Sequence, residues 1–212
     1  MTETHPRHLR ILVVGASGTL GDAVITELGP RHRILRAGPH ESEFCLDLAD
    51  PVSIVSAISS AGKLDAVICA AGNVNFTPMS EIKPATVTDS VYGLGLTHKL
   101  LGQVNLVLAA RDHLNPGGSI TLTAGTLSTD PIFAGTAASM VNGAIESFVR
   151  AAAIELPHGI RINAVSPSIL IESLGKFGEF FRGVEPVPAA RAALAFSRSV
   201  EGHQTGQVYR VV

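Results

Sequence analysis

The chain has 212 residues, 46% of them hydrophobic and 16% charged, with a formal net charge of -2. That length supports one domain with a sizeable core, and a near-neutral balance without a basic run argues against nucleic acid as a partner. Cys45 and Cys69 stand alone in apolar contexts, which fits a reducing compartment better than a disulfide, and no Cys/His spacing suggests zinc or another metal.

Met1 to His8 is polar and lacks the apolar centre of a signal peptide, and no apolar run reaches transmembrane length. The expectation is a cytoplasmic protein with no membrane partner. Leu9 to Val14 is short, apolar and β-branched, as a buried parallel strand is. Gly15-Ala16-Ser17-Gly18-Thr19-Leu20-Gly21 follows directly, and then a helix with Ala23, Val24 and Leu28 on one face. A strand, a glycine-rich turn and a helix in that order point to a dinucleotide phosphate site, the alternative being a plain strand–turn–helix loop. Glycine lets the backbone approach the ligand, and the helix N-terminus offers free N–H groups and a positive dipole end. Ser17 and Thr19 add hydroxyl donors.

Arg33 to Ala37 reads as strand two and Phe44 to Leu46 as a short strand three, closed by Asp47-Leu48. Asp50-Pro51 starts a helix through Ile58, since Asp is an N-cap and Pro a first-turn residue. Ala66 to Ala70 reads as strand four, ending at Ala71-Gly72, and Thr88 to about His113 as one long helix. Asn115 to Gly118 reads as a turn, Ser119 to Thr123 as strand five, Ala137 to Glu155 as a second long helix, Arg161 to Val165 as strand six and Gln207 to Val211 as the last strand. Alternation on this scale predicts an α/β fold: a single doubly wound parallel sheet of Rossmann type with helices on both faces, formed by residues 1–212 as one domain. Ligands of such sheets bind beyond the strand C-termini, where the strand order reverses.

Several segments together resemble the short-chain dehydrogenase/reductase family over nearly the whole chain. The Gly15 to Gly21 turn is similar to its cofactor turn, although the spacing is Gly-x-x-Gly-x-x-Gly. Asp47-Leu48 resembles the pair that contacts adenine, and Cys69-Ala70-Ala71-Gly72 resembles an Asn-Asn-Ala-Gly segment that has lost both asparagines. Arg161 to Ser168 is similar to the Arg-Val-Asn-Ala-Val-x-Pro-Gly run, and Thr205-Gly206-Gln207 to the Thr-Gly-Gln before the last strand. The resemblance implies a nicotinamide cofactor held by Gly15, Ser17, Gly18, Thr19, Leu20, Asp47, Leu48, Ala70, Ala71, Gly72, Pro167, Ser168, Ile169 and Leu170. An acid at the end of strand two would favour NAD; the chain has Arg36-Ala37-Gly38-Pro39-His40 and no acid until Glu41. Arg36, with His40 and Ser42, suits a 2′-phosphate, so NADP is expected, with NAD as the alternative.

The departures fall on the acid–base residues. The family's Tyr-x-x-x-Lys pair maps to Ala138 and Asn142, its serine to the neighbourhood of Gly125, and its helix-four asparagine to Lys99. The two tyrosines, Tyr92 and Tyr209, have no lysine four residues on. Loss of a positioned acid lowers the rate of such a reaction roughly 10²–10⁴-fold. Lys99, Thr123, Thr126, Ser139 and Asn142 are the remaining candidates near the vacated sites. Each also has a structural reading: a solvated helix lysine, strand-end threonines, or plain helix polar residues. Ile171 to Ala190, with Leu174, Phe177, Phe180 and Phe181, lies where the family covers its substrate, which suggests an apolar lid. The expected activity is hydride transfer between NADP(H) and a small, largely apolar carbonyl, alcohol or activated alkene. A non-redox isomerase, cyclase or dehydratase and a catalytically silent nucleotide-binding protein are the rivals. The resemblance also implies a homodimer or homotetramer.

Overall fold

The structure, a computed structural model, describes residues 8–40 and 42–212. Met1 to Arg7 and Glu41, the acid considered beside strand two, lie outside the described residues. Seven parallel strands form one sheet in the order β3-β2-β1-β4-β5-β6-β7. They are β1 (Arg10–Val14), β2 (Arg33–Gly38), β3 (Phe44–Cys45), β4 (Leu64–Cys69), β5 (Leu114–Thr123), β6 (Arg161–Pro167) and β7 (Val208–Val211). The helices are α1 (Thr19–Leu28), α2 (Pro51–Ala61), α3 (Gly102–Ala110), α4 (Thr136–Glu155), a single turn α5 (Leu174–Phe177) and α6 (Ala189–Glu201).

Both faces of the sheet are covered because the central strands are apolar on both sides. Leu12 and Val14 of β1 pack with Ile54 of α2, Leu106 of α3 and Val141 and Ile145 of α4. The alternate residues Ile11 and Val13 pack with Val24 and Leu28 of α1 and Phe196 of α6. Asp50 caps α2 as its sequence suggests, its side chain accepting from the Val52 N–H at 2.9 Å.

Three expectations are corrected. The long helix does not run unbroken from Thr88. Residues 87–92 form turns in which Thr86 Oγ1 donates to the Asp89 carboxylate, and Gly95–Leu101 is wound as a π-helix before α3 begins. Short hydroxyl and carboxylate side chains compete for the local hydrogen bonds there, so the helix cannot extend back to Thr88. The turn at Asn115 to Gly118 lies inside β5 as an irregularity, where pairing jumps from Leu64↔Leu114 to Ala66↔Ser119 and Gly117 takes a φ of +75°. Finally, α6 was not anticipated, although Ala192, Ala193, Phe196 and Val200 recur at helical spacing and are all buried.

Candidate active site

The strand order reverses between β1 and β4, and the crevice beyond their C-termini is built from the glycine turn and from Ala70 to Gly72. Gly15 takes a φ of +82°, and a Cβ there would lie 2.7 Å from the Ala71 Cβ. A Cβ on Gly21 would run into the Gly15 carbonyl. Packing alone therefore demands these two glycines. Gly18 is different: its backbone is extended, and a Cβ would meet no atom nearer than the Gly15 oxygen at 3.4 Å. It lines a cavity of about 340 Å³ with Gly15, Ser17, Asp47, Leu48, Ala70, Ala71 and Gly72. A bare backbone at the mouth of a helix, with space that the protein leaves open, fits a dinucleotide pyrophosphate.

The other expected cofactor residues are distributed differently. Thr19 opens α1 and is exposed, while Leu20 is buried in the core beneath the turn. Arg36 is exposed on β2 between inward-facing Leu35 and Ala37, and it is not brought to this cavity. Pro167 ends β6, and the Ser168 hydroxyl is committed to the Glu185 carbonyl at 2.8 Å. Ile169 and Leu170 line a second cavity. Gly38, Pro39, Asn73 and His98 join the first cavity without having been singled out in the sequence.

Behind Gly72 lies a buried polar cluster. Lys99 is 8% exposed and Asn142 2%. Lys99 Nζ donates to Asn142 Oδ1 at 2.7 Å and to the Ala124 carbonyl at 3.1 Å. Its aliphatic stem lies under Gly72, whose added Cβ would come within 2.6 Å of Lys99 Cγ. Burial pushes the ammonium down to about 8 from its ordinary 10.5. Burial likewise pushes the Cys69 thiol up to about 12, so it is not a nucleophile at neutral pH.

Gln103, fully buried and not anticipated, holds this cluster to the sheet. Its amide donates to the Lys99 and Thr123 carbonyls, both at 3.0 Å, and accepts from the Thr123 N–H at 2.9 Å. Thr123 spends its only proton on the Cys69 carbonyl at 2.6 Å, tying β5 to β4. Thr126 is buried and its hydroxyl has no protein partner among the described residues. The Ser139 hydroxyl is buried and unpartnered as well. The structure thus brings Lys99 and Asn142 together and gives Thr123 a structural bond.

The second cavity, about 710 Å³, runs from Gly72, Val74 and Leu94 to Ile169 and Leu170. Phe177, Phe180 and Phe181 from the segment around α5 close on Phe76, with ring centroids 5.7, 5.1 and 5.9 Å away. Phe76 was missed in the sequence, where an isolated aromatic in a polar loop carries no pattern. Among the described residues no cluster of three metal-binding side chains occurs, and no helix is long and apolar enough to cross a membrane.

A family model described as enoyl-(acyl carrier protein) reductase matches residues 31–209. The chain belongs to the short-chain dehydrogenase/reductase family. The crystal structure of the protein lin1944 from Listeria innocua is 45% identical, covers 96% of this chain and 100% of its own, and superposes with a TM-score of 0.91. A small-chain dehydrogenase in complex with NADPH is 23% identical over 97% of both chains, with a TM-score of 0.83. The L-xylulose reductase of Mesocricetus auratus is 25% identical over 170 residues, 78% of this chain and 68% of that protein. In this short-chain dehydrogenase/reductase both tyrosine hydroxyls are engaged outside the cavities just described: Tyr92 pairs with Thr136 at 3.2 Å, and Tyr209 donates to Gln204 at 3.2 Å.

Proposed function

We propose that this protein is an NADP(H)-dependent oxidoreductase, formed as one nucleotide-binding domain, whose acid–base residues depart from the family's Tyr-x-x-x-Lys pair. Its substrate is a small, largely apolar carbonyl, alcohol or activated alkene. The carrying observation is the pairing of an open glycine turn with a buried ammonium, Lys99, beside the same Gly72 backbone. The NADPH bound by a structural neighbour and the L-xylulose reductases among the relatives support the cofactor and the reaction class.

Ser17, Gly18 and the first turn of α1 would hold the pyrophosphate, Asp47 and Leu48 the adenine, and Ile169 and Leu170 the nicotinamide side. When bound, the cofactor supplies hydride. Lys99 directs two of its three N–H donors at the Ala124 carbonyl and Asn142 Oδ1, so it both fixes the Asn142 carboxamide and keeps positive charge beside the site. Phe76, Phe177, Phe180 and Phe181 exclude water and favour an apolar substrate. The engagement of both tyrosines elsewhere keeps a non-redox isomerase, cyclase or dehydratase as the second reading. Two free cysteines fit a cytoplasmic location. Exposed Leu108 and Ile154 on α3 and α4 fit a homodimer or homotetramer, which light scattering tests.

Purified protein should quench or enhance NADPH fluorescence more strongly than NADH and oxidise NADPH with at least one member of a carbonyl and enone panel. Absence of binding to either nucleotide would overturn the proposal, and binding without oxidation would favour the second reading. Lys99→Met should lower turnover; unchanged turnover would remove Lys99 from the site.

A further inference from the structure

The orientation of Asn142 is set by chemistry. An ammonium only donates, so the atom of Asn142 that faces Lys99 Nζ at 2.7 Å is its oxygen. The amide nitrogen is therefore turned the other way, toward Gly125. A Cβ built on Gly125 would lie 2.8 Å from Asn142 Nδ2. The amide thus occupies the space that any side chain at 125 would need, and the sequence places the family's serine in the neighbourhood of 125. Asn142 is 98% removed from solvent, yet Nδ2 has no acceptor among the described residues. Among the described residues the fully buried side-chain atoms without a partner are Arg10 Nε, Ser119 Oγ and Ser139 Oγ, so Nδ2 is a free donor that keeps a small opening, through which a ligand oxygen can reach it.

The place lies directly behind the wall of the large cavity. Gly72 lines that cavity and packs on Lys99. Val74 lines it too, and with Val141, the neighbour of Asn142, it closes over Gly95. The Lys99 charge behind Oδ1 polarises the carboxamide and strengthens its N–H as a donor.

We propose that the Asn142 carboxamide, backed by Lys99, is the donor that holds the reacting oxygen of the substrate and stabilises negative charge on it. This rests on the oxidoreductase reading above. The ligand class is an oxygen that becomes anionic, attached to a flat apolar group that the phenylalanine cluster covers. Asn142 fills the place of a serine hydroxyl, and Lys99 supplies from α3's side of the site the ammonium that the family places on α4.

The test needs no knowledge of the natural substrate. The probe is 4-nitrophenol, whose anion has its own visible absorbance, added to protein saturated with NADP⁺. The wild type should bind it as phenolate and lower its midpoint of ionisation by at least one pH unit, a tenfold effect. Asn142→Leu and Asn142→Asp should each weaken phenolate binding roughly 10²-fold, the scale for loss of one oxyanion donor. In both variants the NADPH affinity, read by fluorescence, should stay within about threefold. Asp keeps the shape and the bond to Lys99 but lacks the N–H, so it separates loss of the donor from loss of the fold. Phenolate binding unchanged in both variants, or no ionisation shift in the wild type while NADPH still binds, would overturn the proposal. A fall in NADPH affinity that accompanies unchanged phenolate binding would assign Nδ2 to the cofactor ribose instead. Failure of the wild type to bind NADPH at all would overturn the underlying oxidoreductase reading, and this one with it.

Discussion

Lys99 shows how a residue's burial decides its chemistry. Its ammonium is held at about 8 because it has left water. The neighbouring His98 ring accepts from the Asn73 N–H instead of facing Lys99. If the ammonium is needed to back Asn142, turnover falls as pH rises through about 8, and a pH profile of Lys99→Met lacks that limb. The same depression has a sign for stability. Between about 8 and 10.5 the unfolded chain binds more protons at this residue than the folded one, so stability rises with pH across that window. Relative to Lys99→Met, the wild type should gain roughly 2–3 kcal/mol between pH 7 and pH 10.5, measured by urea unfolding of both proteins. No such difference would mean that Lys99 is solvated. The sequence pointed to Lys99 and to Asn142 but not to their contact, which depends on how two helices 43 residues apart pack. Gln103 was invisible for a related reason: a helix glutamine reads as surface until the end of β5 is found beside it.

At the scale of elements, the glycine turn separates residues kept for packing from one kept for a ligand. Gly15→Ala should destabilise the fold by about 2 kcal/mol or more, because a positive φ and a contact with Ala71 are both violated. Gly18→Ala should leave the melting temperature nearly unchanged, since its backbone is extended and its surroundings open. It should nevertheless weaken NADPH binding by tenfold or more. Calorimetric melting with and without nucleotide checks both: a Gly18→Ala protein that melts early, or that still binds NADPH normally, would remove the phosphate reading of that position. The turn was legible because strand, glycines and helix are local in sequence. The π-wound stretch Gly95–Leu101 was not. The Gly102 N–H reaches the Thr97 carbonyl five residues back, and the side-chain periodicity of a wide turn resembles that of an ordinary helix over so few residues. The strand character of Asn115 to Gly118 was hidden by turn residues that here make an irregularity within β5.

Across the whole molecule, the doubly wound parallel sheet was legible because alternating apolar strands and helices with right-handed crossovers admit few topologies. What the pattern did not reveal is how the α1–α6 layer is fastened. Arg31, just past α1, meets Glu201 at the end of α6 at 2.8 Å, and Glu201 also accepts from Ser197 at 2.7 Å and lies 3.0 Å from His32 Nε2. Burial works to raise the Glu201 carboxyl, but the bonds from Arg31, Ser197 and His32 outweigh it and hold it at about 2. A carboxylate whose folded value is depressed stabilises above its ordinary value of 4.5, and that contribution is lost as pH falls toward 2. Because the pair is a third or more exposed, screening limits it to about 1 kcal/mol. Glu201→Gln should therefore lie below the wild type in stability at pH 7 and converge with it near pH 2–3, in chemical unfolding at matched ionic strength. A constant gap at both pH values would mean that shape, not charge, fastens α1 to α6. A gap that widens in acid would contradict the assigned sign. The nucleotide cavity should not respond to this substitution, because α1 meets the phosphate turn at its opposite end, so unchanged NADPH affinity in Glu201→Gln is part of the same expectation.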